Sequence, residues 1–201
     1  MEETEFAGLL VEAYLEERLE NNLAQLSEYC TKNTDQILKS LLDNFKMVLA
    51  QGILLQKNGQ VGEFKYLAIS FLRSLIMEKD YRLRLDLYDA SYFLSKVECS
   101  GYLELGYIWK YLDGDLEALL GELRECGAKY ASYEIDEMKK EYLMTYVPVI
   151  QLFLLENLEA ILSIPEFAEL QKTADFKIIY GEYLDQTQII YDAQAPESEG
   201  A

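Results

Sequence analysis

Apolar residues recur at spacings of three and four through the first part of the chain. Phe6, Leu9, Leu10, Ala13, Leu19, Leu23, Leu26 and Cys30 fall on one stripe of a helix from about Thr4 to Cys30, because a helix brings residues three and four apart onto the same face. Glu12, Glu16, Glu17 and Glu20 occupy its outer side, and Glu2, Glu3 and Glu5 suit the positive end of its macrodipole. Asn33-Thr34-Asp35-Gln36 is a helix-start signal. Beyond it Ile37, Leu38, Leu41, Leu42, Phe45, Val48 and Leu49 trace a second face, and Asn58-Gly59 predicts a turn. Phe64, Leu67, Ala68, Phe71, Leu75 and Ile76 keep the same spacing. They predict a third helix from about Gly62 to Glu78.

The period then changes. Tyr81, Leu83, Leu85 and Leu87 alternate with Arg82, Arg84, Asp86 and Tyr88, a period of two that predicts a strand over 81–87. Asp89 and Ser91 are caps for a brief helix through Tyr92, Phe93 and Leu94. Helix is predicted again from Tyr102 to Leu112, with a break at Asp113-Gly114-Asp115. The next helix carries Leu116, Leu119, Leu120 and Leu123 and stops near Gly127. A long helix from about Tyr133 to Leu162 contains Pro148, which lacks an N–H and crowds the carbonyl of Met144, so a kink is expected. Pro165 opens a short helix to about Thr173. Phe176 to Tyr180 and Gln188 to Tyr191 are β-branched and aromatic and predict a hairpin. The fold class expected is mainly α. It is a single-domain bundle of about six to eight helices over 1–192, with a small antiparallel sheet from 81–87, 176–180 and 188–191. Residues 193–201 read as a disordered tail.

Charge and composition narrow the function. Acidic residues outnumber basic ones 36 to 18, for a net charge of −18. Such a chain is repelled by nucleic acid phosphates and anionic membrane surfaces, so neither duplex nucleic acid nor a membrane is an expected partner. Histidine is absent from the sequence, which excludes Ser-His-Asp and Cys-His catalysis and HExxH zinc sites. Cys30, Cys99 and Cys126 are few and form no CxxC pair. They suit a reducing compartment and buried thiols better than zinc. The acidic N-terminus predicts no secretory signal, and the longest uncharged stretch, Tyr142 to Leu155, is too short to span a membrane. The expectation is a soluble cytoplasmic protein without a cofactor.

Two constellations are candidates for chemistry. Three of the five arginines, Arg73, Arg82 and Arg84, fall within twelve residues and lie among Tyr66, Tyr81, Tyr88 and Tyr92. Guanidinium groups hold carboxylates and phosphates bidentately, so Arg73, Arg82, Arg84, Tyr81 and Tyr88 form a candidate anion site. The competing reading pairs these arginines internally with Asp86, Asp89 or Glu78. The second constellation is Glu134-x-x-Glu137, followed 18 residues later by Glu156-x-x-Glu159. It resembles the two acidic motifs of the all-α NTP pyrophosphohydrolases, although that family has aspartate where this chain has Glu159. The resemblance implies a magnesium or manganese ion held by Glu134, Glu137, Glu156 and Glu159 for phosphohydrolase chemistry. Sixteen tyrosines offer large apolar bodies with polar tips, which suit interfaces and half-buried positions alike. Tyr102, Tyr107, Trp109 and Tyr111 make the densest aromatic group. The first expectation for function is an interaction or accessory protein that binds another protein through acidic and aromatic surface. An anion-binding protein or enzyme at the arginines comes second, and the metal-dependent phosphohydrolase third.

Overall fold

Glu3–Lys32 forms helix α1 and Thr34–Lys57 forms α2, with a single residue between them. That junction is tight because side chains satisfy the last carbonyls of α1. Asn33 Nδ2 donates to the Tyr29 carbonyl at 2.8 Å and Thr34 Oγ1 to the Cys30 carbonyl at 2.9 Å. The computed structural model describes residues 3–72, 82–125 and 131–194. Two compact units emerge from the contacts: Met1–Ile37 with Leu105–Val149, and Leu38–Glu104 with Ile150–Ala201.

The second unit contains a five-stranded sheet in the order β3-β2-β1-β4-β5. Its strands are β1 (Phe64–Phe71), β2 (Leu83–Tyr88), β3 (Ser100–Leu103), β4 (Lys172–Glu182) and β5 (Thr187–Asp192). β1 runs parallel to β4 and antiparallel to β2, while β2–β3 and β4–β5 are antiparallel. The fold is therefore α/β with a mixed sheet, and the expected mainly α bundle with a small antiparallel sheet is wrong.

The error begins at β1. The spacing of Phe64, Leu67, Ala68 and Phe71 fits a helix, yet these residues form the central strand. Leu67, Ala68, Ile69, Ser70 and Phe71 are all buried, so the strand is covered on both faces and reads as a nearly continuous apolar run. Periodicity alone cannot separate such a run from a buried helix. The strand expected at 81–87 exists as β2, and the expected hairpin exists as β4–β5. β1 inserts between them.

One sheet face is apolar. Register places Leu67 beside Leu87 and Ile178, and Ile69 beside Leu85 and Tyr180. The second half of α2 packs on this face with Leu41, Phe45, Val48, Leu49 and Ile53, each burial contributing about 1.5–3 kcal/mol. Gly52 lets the helix approach closely, because a Cβ there would lie 2.7 Å from Leu87 Cδ1 and 3.1 Å from Phe64 Cε2. Cys99 is buried here, its thiol directed at the Val48 carbonyl 3.7 Å away, and burial pushes its pKa up to about 12. A thiol so protonated is a poor nucleophile. Cys99 is accordingly expected to resist a thiol reagent in the folded protein and to react at the rate of a free cysteine in denaturant.

Helices α3 (Gly106–Glu125), α4 (Ser132–Glu156), α5 (Leu158–Leu162) and α6 (Pro165–Glu169) complete the described elements. Tyr102 belongs to β3 rather than to the helix expected there, and α3 runs unbroken through Asp113-Gly114-Asp115. The expected helix from Tyr133 to Leu162 is interrupted at Asn157, beyond Pro148. Pro165 opens α6 as expected, but β4 has begun by Lys172. Ala193 and Gln194 form a turn, and the remainder of the expected tail lies outside the described residues. Gly114 sits inside α3 with nothing within 4 Å of an added Cβ. Gly114→Ala is expected to raise stability by about 0.5–1 kcal/mol, read as a higher urea midpoint with an unchanged slope.

Candidate functional site

The opposite sheet face carries the polar and aromatic residues. Alternation along β2 puts Arg84, Asp86 and Tyr88 on this side, and register sets them beside Ser70, Ala68 and Tyr66 of β1. On the other flank Arg84 faces Tyr102 and Asp86 faces Ser100 of β3. Asp86 is only 2% exposed. Its two oxygens accept from Arg84 Nε at 3.0 and 2.8 Å, while Arg84 Nη2 donates to Glu98 Oε1 at 2.7 Å. Ser100 Oγ completes the chain with a 2.9 Å bond to Glu98.

Between β2 and β3 the chain turns back over this face. Asp89 Oδ1 accepts from the Ser91 amide at 2.8 Å, an Asx turn that leads into the 3-10 turn Tyr92–Leu94. The Tyr92 ring meets Tyr66 and Tyr88 edge-on at centroid distances of 5.1 and 5.0 Å. Phe93 meets Tyr88 at 5.4 Å and Tyr183 of the β4–β5 turn at 6.4 Å. Tyr183 in turn covers the Arg84 guanidinium at 5.2 Å.

The electrostatics follow from burial and pairing. Desolvation pushes the Asp86 carboxyl above the usual aspartate value and the Arg84 charge opposes it. The Asp86 bond keeps Arg84 firmly charged. Ser100 and Arg84 hold Glu98 below the ordinary glutamate value. Burial raises the hydroxyls of Tyr88 and Tyr92, so both stay protonated. This arrangement binds its own charges together more readily than it activates a nucleophile.

Arg84 and Tyr88 lie on the same face of β2. Arg82 stands beside them, its guanidinium 4.5 Å from the Tyr102 ring and 4.0 Å from Glu104. Arg73 and Tyr81 lie outside the described residues. Glu98, Phe93 and Tyr183 were not anticipated, because turns bring them in and no periodicity along the chain marks a turn's destination.

The four glutamates fare differently. Glu134 accepts from the Ala131 amide at 2.7 Å, capping the start of α4. It belongs to the first unit, whereas Glu156 and Glu159 belong to the second. The side chain of Glu137 lies outside what the structure describes. Among the described residues, no group of three His, Cys, Asp or Glu side chains is placed to hold a metal ion. The five-stranded sheet is also not the all-α fold that the pyrophosphohydrolase resemblance implies.

The first unit holds a second polar cluster around Asp115, which is 1% exposed on α3. Arg18 Nε of α1 donates to Asp115 Oδ1 at 2.7 Å. Asn22 Nδ2 of α1 and the Tyr142 hydroxyl of α4 both donate to Oδ2. Trp109 stacks on Tyr146 at 6.1 Å, and Tyr146 meets Tyr142 edge-on at 5.7 Å.

No family model, curated protein or solved structure matches this chain. No helix among the described residues is long and apolar enough to cross a membrane.

Proposed function

We propose that this chain is a cytoplasmic interaction protein, not an enzyme, and that it docks another protein through the apolar knob where the 3-10 turn meets the β4–β5 turn. The observation that carries this reading is a set of exposed apolar side chains on two turns that each hold a residue in strained backbone. Among the described residues two non-glycine positions have positive φ, Tyr92 at +54° and Leu184 at +63°. Both lie in this knob. The left-handed conformation costs a side-chain-bearing residue about 1–2 kcal/mol, and strained positions gather where function requires a fixed geometry. The strained Leu184 is 56% exposed, and beside the half-buried Tyr92 the turn leaves Leu94 84% exposed and Phe93 exposed as well. A turn selected for stability alone carries glycine or asparagine where Leu184 stands.

Other features agree with this reading. Arg84 is already matched by two carboxylates, which favours internal packing over an anion site. Cys99 is a free thiol, consistent with the reducing cytoplasm.

Leu184→Gly separates the two demands on the turn. It is expected to raise folding stability by about 1 kcal/mol and to weaken partner binding. Leu94→Glu is expected to leave stability within about 0.5 kcal/mol, as surface changes usually do, and to abolish binding. Both variants and the parent would be immobilised and challenged with cytoplasmic extract, with melting curves taken in parallel. A partner retained by the parent and lost from Leu94→Glu supports the reading. Retention of the same proteins by both sinks it.

A further inference from the structure

We infer that the partner presents an apolar segment flanked by lysine or arginine. This rests on the docking reading above and adds the chemistry of what is docked.

The knob is apolar at its centre and acidic at its rim. Phe93, Leu94 and Leu184 supply the exposed apolar surface. Asp89 precedes the 3-10 turn, Glu98 follows it, and Asp185 adjoins Leu184. With the paired charges beneath included, Asp86, Asp89, Glu98, Glu104 and Asp185 stand against Arg82, Arg84 and Lys96, five acids to three bases. Arg84 is committed to Asp86 and Glu98, so its charge is spent inside the knob. Glu98 remains 70% exposed at its side chain, and Asp185 is exposed at the tip of the β4–β5 turn.

A partner meeting this surface buries its own apolar side chains against Phe93, Leu94 and Leu184. Its flanking residues then lie against the acidic rim. Like charges placed there cost affinity and opposite charges gain it, chiefly through the rate of encounter. The net charge of −18 extends the same bias beyond the contact and also disfavours a second copy of this chain as the occupant.

The test is selection of a display library of short random peptides on the full-length protein, and each recovered peptide is measured against Leu94→Glu. The peptides recovered are then measured against Asp185→Lys and Lys96→Glu at low and high salt. Both changes are at exposed positions and leave the Arg84 bridge intact. The expected peptides carry a leucine or aromatic residue next to lysine or arginine and are lost on Leu94→Glu. Asp185→Lys should weaken them by roughly three- to ten-fold and Lys96→Glu tighten them by a similar factor, both effects shrinking in high salt. Peptides that need Leu94 but show no basic enrichment, and ignore both charge changes, overturn this inference while leaving the docking reading standing. Peptides indifferent to Leu94→Glu overturn both.

Discussion

Arg84→Ala is expected to destabilise the folded protein by about 3–5 kcal/mol, the cost of leaving a buried carboxylate without its counter-charge. Asp86 accepts both of its strong bonds from Arg84 Nε, and what remains is the Tyr88 hydroxyl beside it. The neighbouring bridge is a control: Glu98→Ala removes an acid that is mostly in water and is expected to cost at most about 1 kcal/mol. The pH dependence identifies the cause. Burial already raises the pKa of Asp86 in the folded state, so the native protein binds that proton more tightly than the unfolded chain does. Stability from such a group is present at low pH and lost as pH rises from the ordinary aspartate value through the raised one. Removing Arg84 deletes the charge that opposes the rise and stretches that window upward. The variant should therefore recover part of its lost stability on acidification, while Asp86→Asn in the same background should recover it at neutral pH. Urea unfolding across pH would measure all three. A flat pH profile for Arg84→Ala, or no rescue by Asp86→Asn, would place its effect in lost packing instead.

The part of this cluster that was legible in the sequence is the part governed by alternation. Period two along the strand set Arg82, Arg84, Asp86 and Tyr88 on one side, and the strand register agrees for Arg84, Asp86 and Tyr88. Internal pairing of Arg84 with Asp86 was one of the two readings open at that point, and the distances select it. Glu98 escaped notice because its approach depends on the β2–β3 register, which pairs Asp86 with Ser100. That register is fixed by the turn between the strands. Tyr183 arrives by a longer route, through a parallel pairing of β1 with β4 that no local signal encodes.

The same distinction explains the fold. Helices with one solvated side, such as α1 and α2, declare themselves through charged outer faces, and their predicted spans lie close to the observed ones. The hairpin β4–β5 was legible from β-branched and aromatic runs. β1 was not, since Leu67 to Phe71 is buried on both faces and has lost the polar side that would reveal its period. Once β1 is read as a helix, the remaining strands can only be joined as a small antiparallel group. One misjudged central strand thus turns an α/β sheet into a bundle with an accessory hairpin.

Asp113-Gly114-Asp115 misled for a different reason. Aspartate and glycine together signal a helix break because each is unfavourable in a helix interior, and a buried acceptor outweighs that preference here. Asp115→Ala is expected to cost about 2–4 kcal/mol. The loss combines three charge-assisted or buried hydrogen bonds with the desolvation of donors left behind. Arg18 is partly exposed and can turn to water, whereas Tyr142 is buried and its hydroxyl is left with only the neighbouring Tyr146 hydroxyl. The hydroxyl should therefore account for much of the penalty. Tyr142→Phe tests that division, since it removes the donor and leaves Asp115 bonded to Arg18 and Asn22. It is expected to cost only about 1 kcal/mol. In the Asp115→Ala background the same change should cost nothing or restore stability, because no buried donor is then left unmatched. Amide exchange in α1 and α3 gives a local readout, with faster exchange around Arg18 and Asn22 expected in Asp115→Ala alone. Equal and additive losses for the two substitutions would mean that Asp115 and Tyr142 act independently, and the polar junction would then be a coincidence of packing.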